Sequence, residues 1–240
     1  MSVIETVGRH WDGFRSQFLD LLFPPRCVGC RQAGAWLCVE CMSHIPRVEP
    51  PFCVRCGDAV VDSELCARCR ISPLQINRIR SVAYFEGVLC RAMHWFKYRS
   101  RTVLAEPLGE LIAAYWMEHA MPIDVVVPVP LHASRLRERG YNQAALLARE
   151  MARRAGLVVD EQALVRQRAT APQVKLDVDQ RRENVRAAFR CSSNGLAGKR
   201  VLLIDDVCTT GATLEACAIA LVEGGARGVQ ALTLARARWH

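Results

Sequence analysis

No stretch of this 240-residue chain stays apolar over the eighteen or so residues that a membrane-spanning helix needs. The N-terminus lacks a basic start, an apolar centre and a small-residue cleavage site in series, so no secretory signal is read there and a cytoplasmic location is expected. Aromatic residues make up only 7% and few of them interleave the basic ones, so no stacking platform for single-stranded nucleic acid is visible. Large apolar residues are scarce between residues 27 and 69, and that stretch cannot fold on a core of its own. No histidine lies near Cys208 to activate its thiol, and no single side chain stands out as a general base. The chain as a whole, with 51% apolar and 23% charged residues, has the composition of a globular protein. The length suits one large domain, or a medium one with a small one.

Cysteine is abundant. Eight of the twelve cysteines form four C-x2-C pairs: Cys27 with Cys30, Cys38 with Cys41, Cys53 with Cys56, and Cys66 with Cys69. Without a secretion signal this spacing favours metal over disulfides. One C-x2-C turn presents two sulfurs to a metal, and two turns complete a tetrahedron with no open position. Two structural Zn²⁺ ions are expected; an iron–sulfur cluster suits such evenly repeated pairs less well. Sequential pairing of the turns is expected, although first with third and second with fourth meets the same spacing. The formal charge is +8; eight thiolates remove eight charges and two Zn²⁺ return four, leaving a modest +4 that allows a phosphate-rich partner without demanding one. Of the isolated cysteines, Cys90 and Cys217 sit in apolar helical patterns and read as core, while Cys208 reads as loop filler; Cys191 stands alone.

Three regions follow. Ile4, Val7, Trp11, Phe14, Phe18 and Leu21 recur at helical steps and predict an amphipathic helix over residues 1–22, stopped by Pro24 and Pro25. Its polar face is not strongly basic, so it reads as a docked helix rather than a membrane anchor. The cysteine module occupies residues 23–72. A third region, residues 76–240, alternates strands and helices. Strands are predicted over Arg78–Phe85, Ile123–Val129, Leu157–Val159, Leu164–Gln167, Arg200–Ile204 and Val229–Ala235. Helices are predicted over Val88–Lys97, Val103–His119, Gln143–Ala155 and Thr213–Glu223, and residues 168 to 183 have no periodicity. The fold class is α/β, a mainly parallel sheet flanked by helices with a small zinc module in front. Ligands in such sheets bind beyond the carboxyl ends of the strands.

Residues 201 to 213, VLLIDDVCTTGAT, run strand, acidic pair, small-residue loop and helix. A helix N-terminus has unpaired N–H groups that suit a phosphate. Gly211 and Ala212 let an anion approach the backbone, and Thr209, Thr210 and Thr213 add hydroxyl donors. Asp205 and Asp206 would repel a phosphate, and make sense as acceptors for a sugar diol or beside a cation. The pattern resembles the phosphoribosyl-pyrophosphate (PRPP) loop of type I phosphoribosyltransferases. The resemblance implies that Asp205 and Asp206 hold the ribose hydroxyls and that Thr209 to Thr213 wrap the 5′-phosphate.

A second anion site is read from Pro128-Val129-Pro130-Leu131, a rigid turn after a strand, followed by His132, Arg135, Arg137 and Arg139. With PVPLH, RLRERGYNQ and DDVCTTGAT behind a double cysteine ribbon, the chain resembles the ComF family, competence-associated phosphoribosyltransferase-like proteins that include the GntX-type members. Lys97-Tyr98-Arg99, Thr170, Gln173, Arg181 and Asn184 fit as well, and the likeness spans roughly residues 20 to 236. It implies a zinc ribbon region joined to a type I phosphoribosyltransferase domain. It also implies PRPP as ligand with Mg²⁺, a pyrophosphate turn at Pro128 to Leu131 clamped by Arg135 and Arg139, and site candidates Lys97, Arg99, Asn142 and Gln143. Residues 168 to 183 would be a lid. The implied activity is phosphoribosyl transfer to an acceptor that the sequence does not define, linked with DNA uptake. The alternative is a non-catalytic accessory protein binding PRPP or single-stranded DNA beside DNA-uptake proteins.

Overall fold

The computed structural model describes residues 24–98, 101–167 and 188–238. The expected helix over residues 1–22, Arg99 and the expected lid lie outside the described residues. The chain divides into two compact units, one ending at His44 and one beginning at Ile45.

The first unit holds the first four cysteines. Cys27 and Cys30 occupy a tight turn, and Cys38 caps the short helix α1, Val39–Ser43, which carries Cys41. The Cys27 sulfur accepts N–H bonds from Gly29 and Cys38, both at 3.4 Å, and the Cys38 sulfur accepts one from Cys41 at 3.4 Å. Such bonds orient thiolate ligands and spread their charge.

The second unit contains Cys53, Cys56 and the helix α2, Ala67–Ile71, bearing Cys69, and then the sheet. Its elements are β1 (Arg78–Tyr84), α3 (Gly87–Tyr98), α4 (Ala105–Glu118), β2 (Val125–Pro128), α5 (Ala133–Arg139), α6 (Gln143–Ala155), β3 (Leu164–Arg166), β4 (Phe189–Cys191), β5 (Arg200–Cys208), α7 (Ala212–Glu223) and β6 (Gly228–Arg236). The main sheet has the order β1-β6-β5-β2 with every pair parallel. Alternate strand residues Val125, Val127, Val201, Leu203, Val229 and Ala231 form one core with Leu214, Cys217 and Leu221 of α7. By the two-residue period of strands, Val126, Leu202, Ile204, Leu232 and Leu234 point to the other face, where α4 and α6 pack. A parallel sheet covered on both faces is what near-continuous Val, Ile and Leu runs require.

Three local expectations change. Leu157–Val159 is not a strand: it gives one parallel bridge, Val126 to Val159, along the open edge of β2. Leu164–Arg166 pairs antiparallel with Phe189–Cys191 in a separate two-stranded sheet. The basic segment after Pro130 is a helix, α5, started by the His132 side chain accepting from Ser134 N and ended by Gly140 at φ 79°.

The linking segment and the second ribbon are tied closely to this sheet. Ile79 N–H donates to Arg55 O at 2.8 Å, and Arg80 Nη2 donates to Val54 O at 3.0 Å while its guanidinium lies over the Phe52 ring. The outer edge of β1 is further taken by Val48 N–H to Val82 O and Tyr84 N–H to Pro46 O. Gly57, at φ 74°, sits so near β1 that a Cβ there would lie 2.8 Å from Ile79 O.

Candidate functional site

Strand β5 outruns its neighbour. Its pairing with β2 stops at Pro128 opposite Ile204, while its pairing with β6 continues through Asp205 opposite Thr233 to Cys208 opposite Arg236. The acidic pair is therefore still in a strand, held on one side and open on the other. The sequence predicts a strand over Arg200–Ile204; the support from β6 carries it on to Cys208. Asp206 N–H donates to Asp205 Oδ1 at 2.8 Å. Lys97 Nζ, from the end of α3, lies 2.8 Å from Asp206 Oδ2, with only 20% and 14% of the two side chains exposed.

Burial, and then the neighbouring Asp206 charge, push the Asp205 carboxyl up to about 7. The folded protein thus holds this proton more tightly than the unfolded chain, whose value is near 4. Stability contributed here is present at low pH and lost as pH rises through about 7. Asp205→Asn is expected to stabilise the fold by on the order of 2 kcal/mol at about pH 8 and much less at about pH 5. Paired thermal melts check this; a difference that does not change with pH would refute it.

After Cys208 comes the loop Thr209 to Thr213. Gly211 is the N-cap of α7 at φ 80°, a conformation that L side chains resist, and a Cβ would lie 3.0 Å from Ile79 Cδ1. Thr210 Oγ1 accepts from Ala212 N at 3.3 Å, which closes the turn. Cys208 is buried with its thiol pushed up by burial, which agrees with filler rather than a nucleophile.

Val129, Pro130 and Leu131 of the turn face the acidic pair across a cleft of ≈ 470 Å³. Lys97, Val129, Pro130, Leu131, His132, Ser134, Arg135, Arg139, Asn142, Gln143, Ala144, Arg166, Asp205, Asp206 and Thr213 line it. Pro128 and residues 209 to 212 are not among its lining. Asn142 is a brace: Nδ2 donates to Val129 O at 3.0 Å while Oδ1 accepts from Ala144 N at 3.1 Å, capping α6. Tyr141 O–H donates to Phe96 O and joins the end of α3 to the same place. Arg139 is half-buried, donating to Gln143 Oε1 at 3.0 Å with its guanidinium over Tyr98, whereas Arg135 is exposed. Gln143 is buried, and its Nε2 has no hydrogen-bond partner among the described residues. A buried donor left bare costs free energy until a ligand supplies an acceptor.

Sequence reasoning missed Arg166. It enters the cleft from β3 with its guanidinium 5.4 Å from the Phe189 ring, and burial lowers its pKa. The local signal is an arginine directly after the short apolar run Ala163-Leu164-Val165, which by itself does not place it in a cleft. His132 spends its Nδ1 on Ser134 and acts as a helix cap.

The cysteines resolve into two sequential quartets, Cys27, Cys30, Cys38, Cys41 and Cys53, Cys56, Cys66, Cys69, each with all sulfurs within 4.8 Å of one another. Four sulfurs about 2.3 Å from one zinc stand roughly 3.8 Å apart. Cys30 to Cys38 is 3.7 Å and Cys56 to Cys66 is 3.6 Å. Both quartets fit a structural Zn²⁺, and the interleaved pairing is ruled out.

Family models match a double zinc ribbon domain over residues 18–70 and a phosphoribosyl transferase domain over residues 136–238. The DNA utilization protein YhgH of Escherichia coli K12 is 33% identical over 228 residues, covering 90% of this chain and 99% of that protein. The chain belongs to the ComF/YhgH family. Other relatives are Competence protein F of Haemophilus influenzae, 29% identical over 88% of this chain and 97% of its own, and Competence protein ComFC of Bacillus subtilis, 28% identical over 83% and 84%. Among solved structures, the glutamine PRPP amidotransferase of B. subtilis aligns at 23% identity and TM-score 0.42, over 58% of this chain and 30% of its own. This member of the ComF/YhgH family thus joins a phosphoribosyltransferase domain to a double zinc ribbon. Among the described residues no helix is long and apolar enough to cross a membrane.

Proposed function

We propose that the protein binds PRPP with Mg²⁺ in this cleft and transfers the phosphoribosyl group to a nitrogen acceptor. One observation carries the reading: Asp205 and Asp206, raised beyond the end of β2, share a single cleft with Thr213 of the phosphate loop and with the Val129–Leu131 turn. Asp205 and Asp206 would accept the ribose hydroxyls. The loop N–H groups and the hydroxyls of Thr209, Thr210 and Thr213 would take the 5′-phosphate. The turn, Arg135, Arg139 and the bare Gln143 Nε2 would meet the pyrophosphate, an acceptor-rich group. The carboxylates and hydroxyls offer oxygen donors suited to Mg²⁺, which would supply charge neutralisation on the leaving pyrophosphate. Carboxylate charge beside the ribose favours the positive charge that develops on its ring, and positioning does the rest.

The relatives named for DNA utilization and competence favour a second reading, a PRPP- or single-strand-binding accessory of DNA uptake without turnover. Tyr98 is an exposed ring beside Arg139, which lines the cleft, and would give a base one stacking contact next to it. Titration with Mg²⁺ and PRPP, followed by pyrophosphate release across a panel of amine and base acceptors, tests both. Release with any acceptor establishes transfer. Binding without release, with PRPP displacing a bound oligonucleotide, supports the second reading. Absence of PRPP binding by the metallated protein refutes transfer, and absence of oligonucleotide binding as well refutes the second reading.

A further inference from the structure

We infer that the second ribbon is part of the phosphate-binding apparatus: Arg68 fixes the peptide after Thr210, so that the ribbon's metal and the ligand's phosphate stabilise one another. The inference rests on the reading of the cleft given above and deepens it.

The chain of contacts begins at the metal knuckle. Gly57 N–H donates to Cys53 O at 2.9 Å and Cys53 N–H to Asp58 O at 2.7 Å, which holds Asp58, two residues after Cys56, against the knuckle. The Asp58 carboxylate is shared by two arginines. Arg68, next to Cys69, holds Oδ2 at 3.2 Å, and Arg236, at the end of β6, holds Oδ1 and also donates to Cys56 O. The other end of the Arg68 fork, Nη1, donates to Thr210 O at 2.7 Å. A trans peptide points its C=O and the next N–H in opposite directions. Pinning Thr210 O to the ribbon therefore turns Gly211 N–H away from the ribbon.

The loop is gripped at two further points. Arg236 is the strand partner of Cys208, where the loop begins. Glu215, in the first turn of α7 where the loop ends, accepts from Gln75 N at 2.7 Å and Ile76 N at 3.1 Å, residues of the segment leaving the ribbon. The ribbon has little to hold this frame without metal: its buried cluster is Cys53, Cys56 and Cys69, with Val60, Leu65 and Leu74 beside them. Metal binding and folding are one process in such a module. Coupling between two binding events is reciprocal, so a phosphate ligand that needs the ordered loop must tighten the zinc site that orders it.

The test uses the full chain carrying both zinc ions, with PRPP and Mg²⁺ as probe. Chelator competition measures zinc affinity at equilibrium, and calorimetry measures PRPP affinity. Saturating PRPP should raise the affinity of one zinc site per chain by about tenfold and leave the other unchanged. Arg68→Ala should keep both zinc ions, bind PRPP about tenfold more weakly and lose the coupling. Arg68→Lys retains the charge, but one ammonium lacks the fork that spans Asp58 and Thr210 O, so it should behave like alanine; it serves if Arg68→Ala does not fold. Tight PRPP binding with both zinc affinities unchanged, or wild-type PRPP affinity in the Arg68 variants, overturns the inference and leaves the cleft assignment standing. Failure of the wild-type, fully metallated protein to bind PRPP overturns both.

Discussion

Cys56→Ser is expected to leave one zinc per chain and to lower the melting temperature of the sheet-bearing unit by on the order of 10 °C. The second quartet lies in the same compact unit as the sheet. Arg236 is 3% exposed and its charge is met by Asp58 and Cys56 O, both in the knuckle. If the knuckle disorders, a buried guanidinium loses those partners, at a cost of about 3–5 kcal/mol. At this chain length each kcal/mol moves the transition by about 2–4 °C. Cys41→Ser should also remove one zinc, but from the other unit, and should leave the sheet transition in place. Calorimetry with elemental analysis of both variants decides the matter: equal shifts, or none from Cys56→Ser, would show that the knuckle does not support the sheet.

Asp205→Asn combined with Asp206→Asn should weaken PRPP binding by at least about a hundredfold, while zinc content stays unchanged. Each charge-assisted bond to a ribose hydroxyl is worth about 1.5–3 kcal/mol, and about 1.4 kcal/mol is a factor of ten. The two sites differ in the free protein. Asp206 is already engaged by Lys97 at 2.8 Å, whereas Asp205 is the carboxylate that burial disfavours in its charged form. Asp205→Asn alone should therefore combine a gain in stability with a loss in affinity, the trade that a ligand-binding group imposes on a fold. Calorimetric titration of the double variant gives the answer; an unchanged dissociation constant would remove the diol role from this pair.

The parts of the site legible in the sequence are those written in consecutive residues. Asp205 to Thr213 announces itself because an acidic pair, a left-handed glycine and a helix start must follow one another in the chain. The quartets are legible for the same reason, since a knuckle is a local turn. Arg166 was not legible: its place in the cleft depends on β4, which joins it from beyond residue 187. Helix α5 was missed because Ala133–Arg139 has one large apolar residue, Leu136, and no stripe to read. The joining of ribbon to sheet was invisible for a different reason. Arg236 and Asp58 stand 178 residues apart, and no local pattern marks either as the other's partner.

Both margins of the four-stranded sheet are spoken for. Arg55, Pro46 and Val48 occupy backbone groups along β1, and Val158 and Asp160 bond to Val126 along β2. An exposed margin invites another chain to add a strand, and with it aggregation or swapping. Here a newcomer finds few bare main-chain groups at either side. Among the described residues, a partner that meets this four-stranded sheet at its margins therefore binds through side chains and surface charge rather than by lending it a strand.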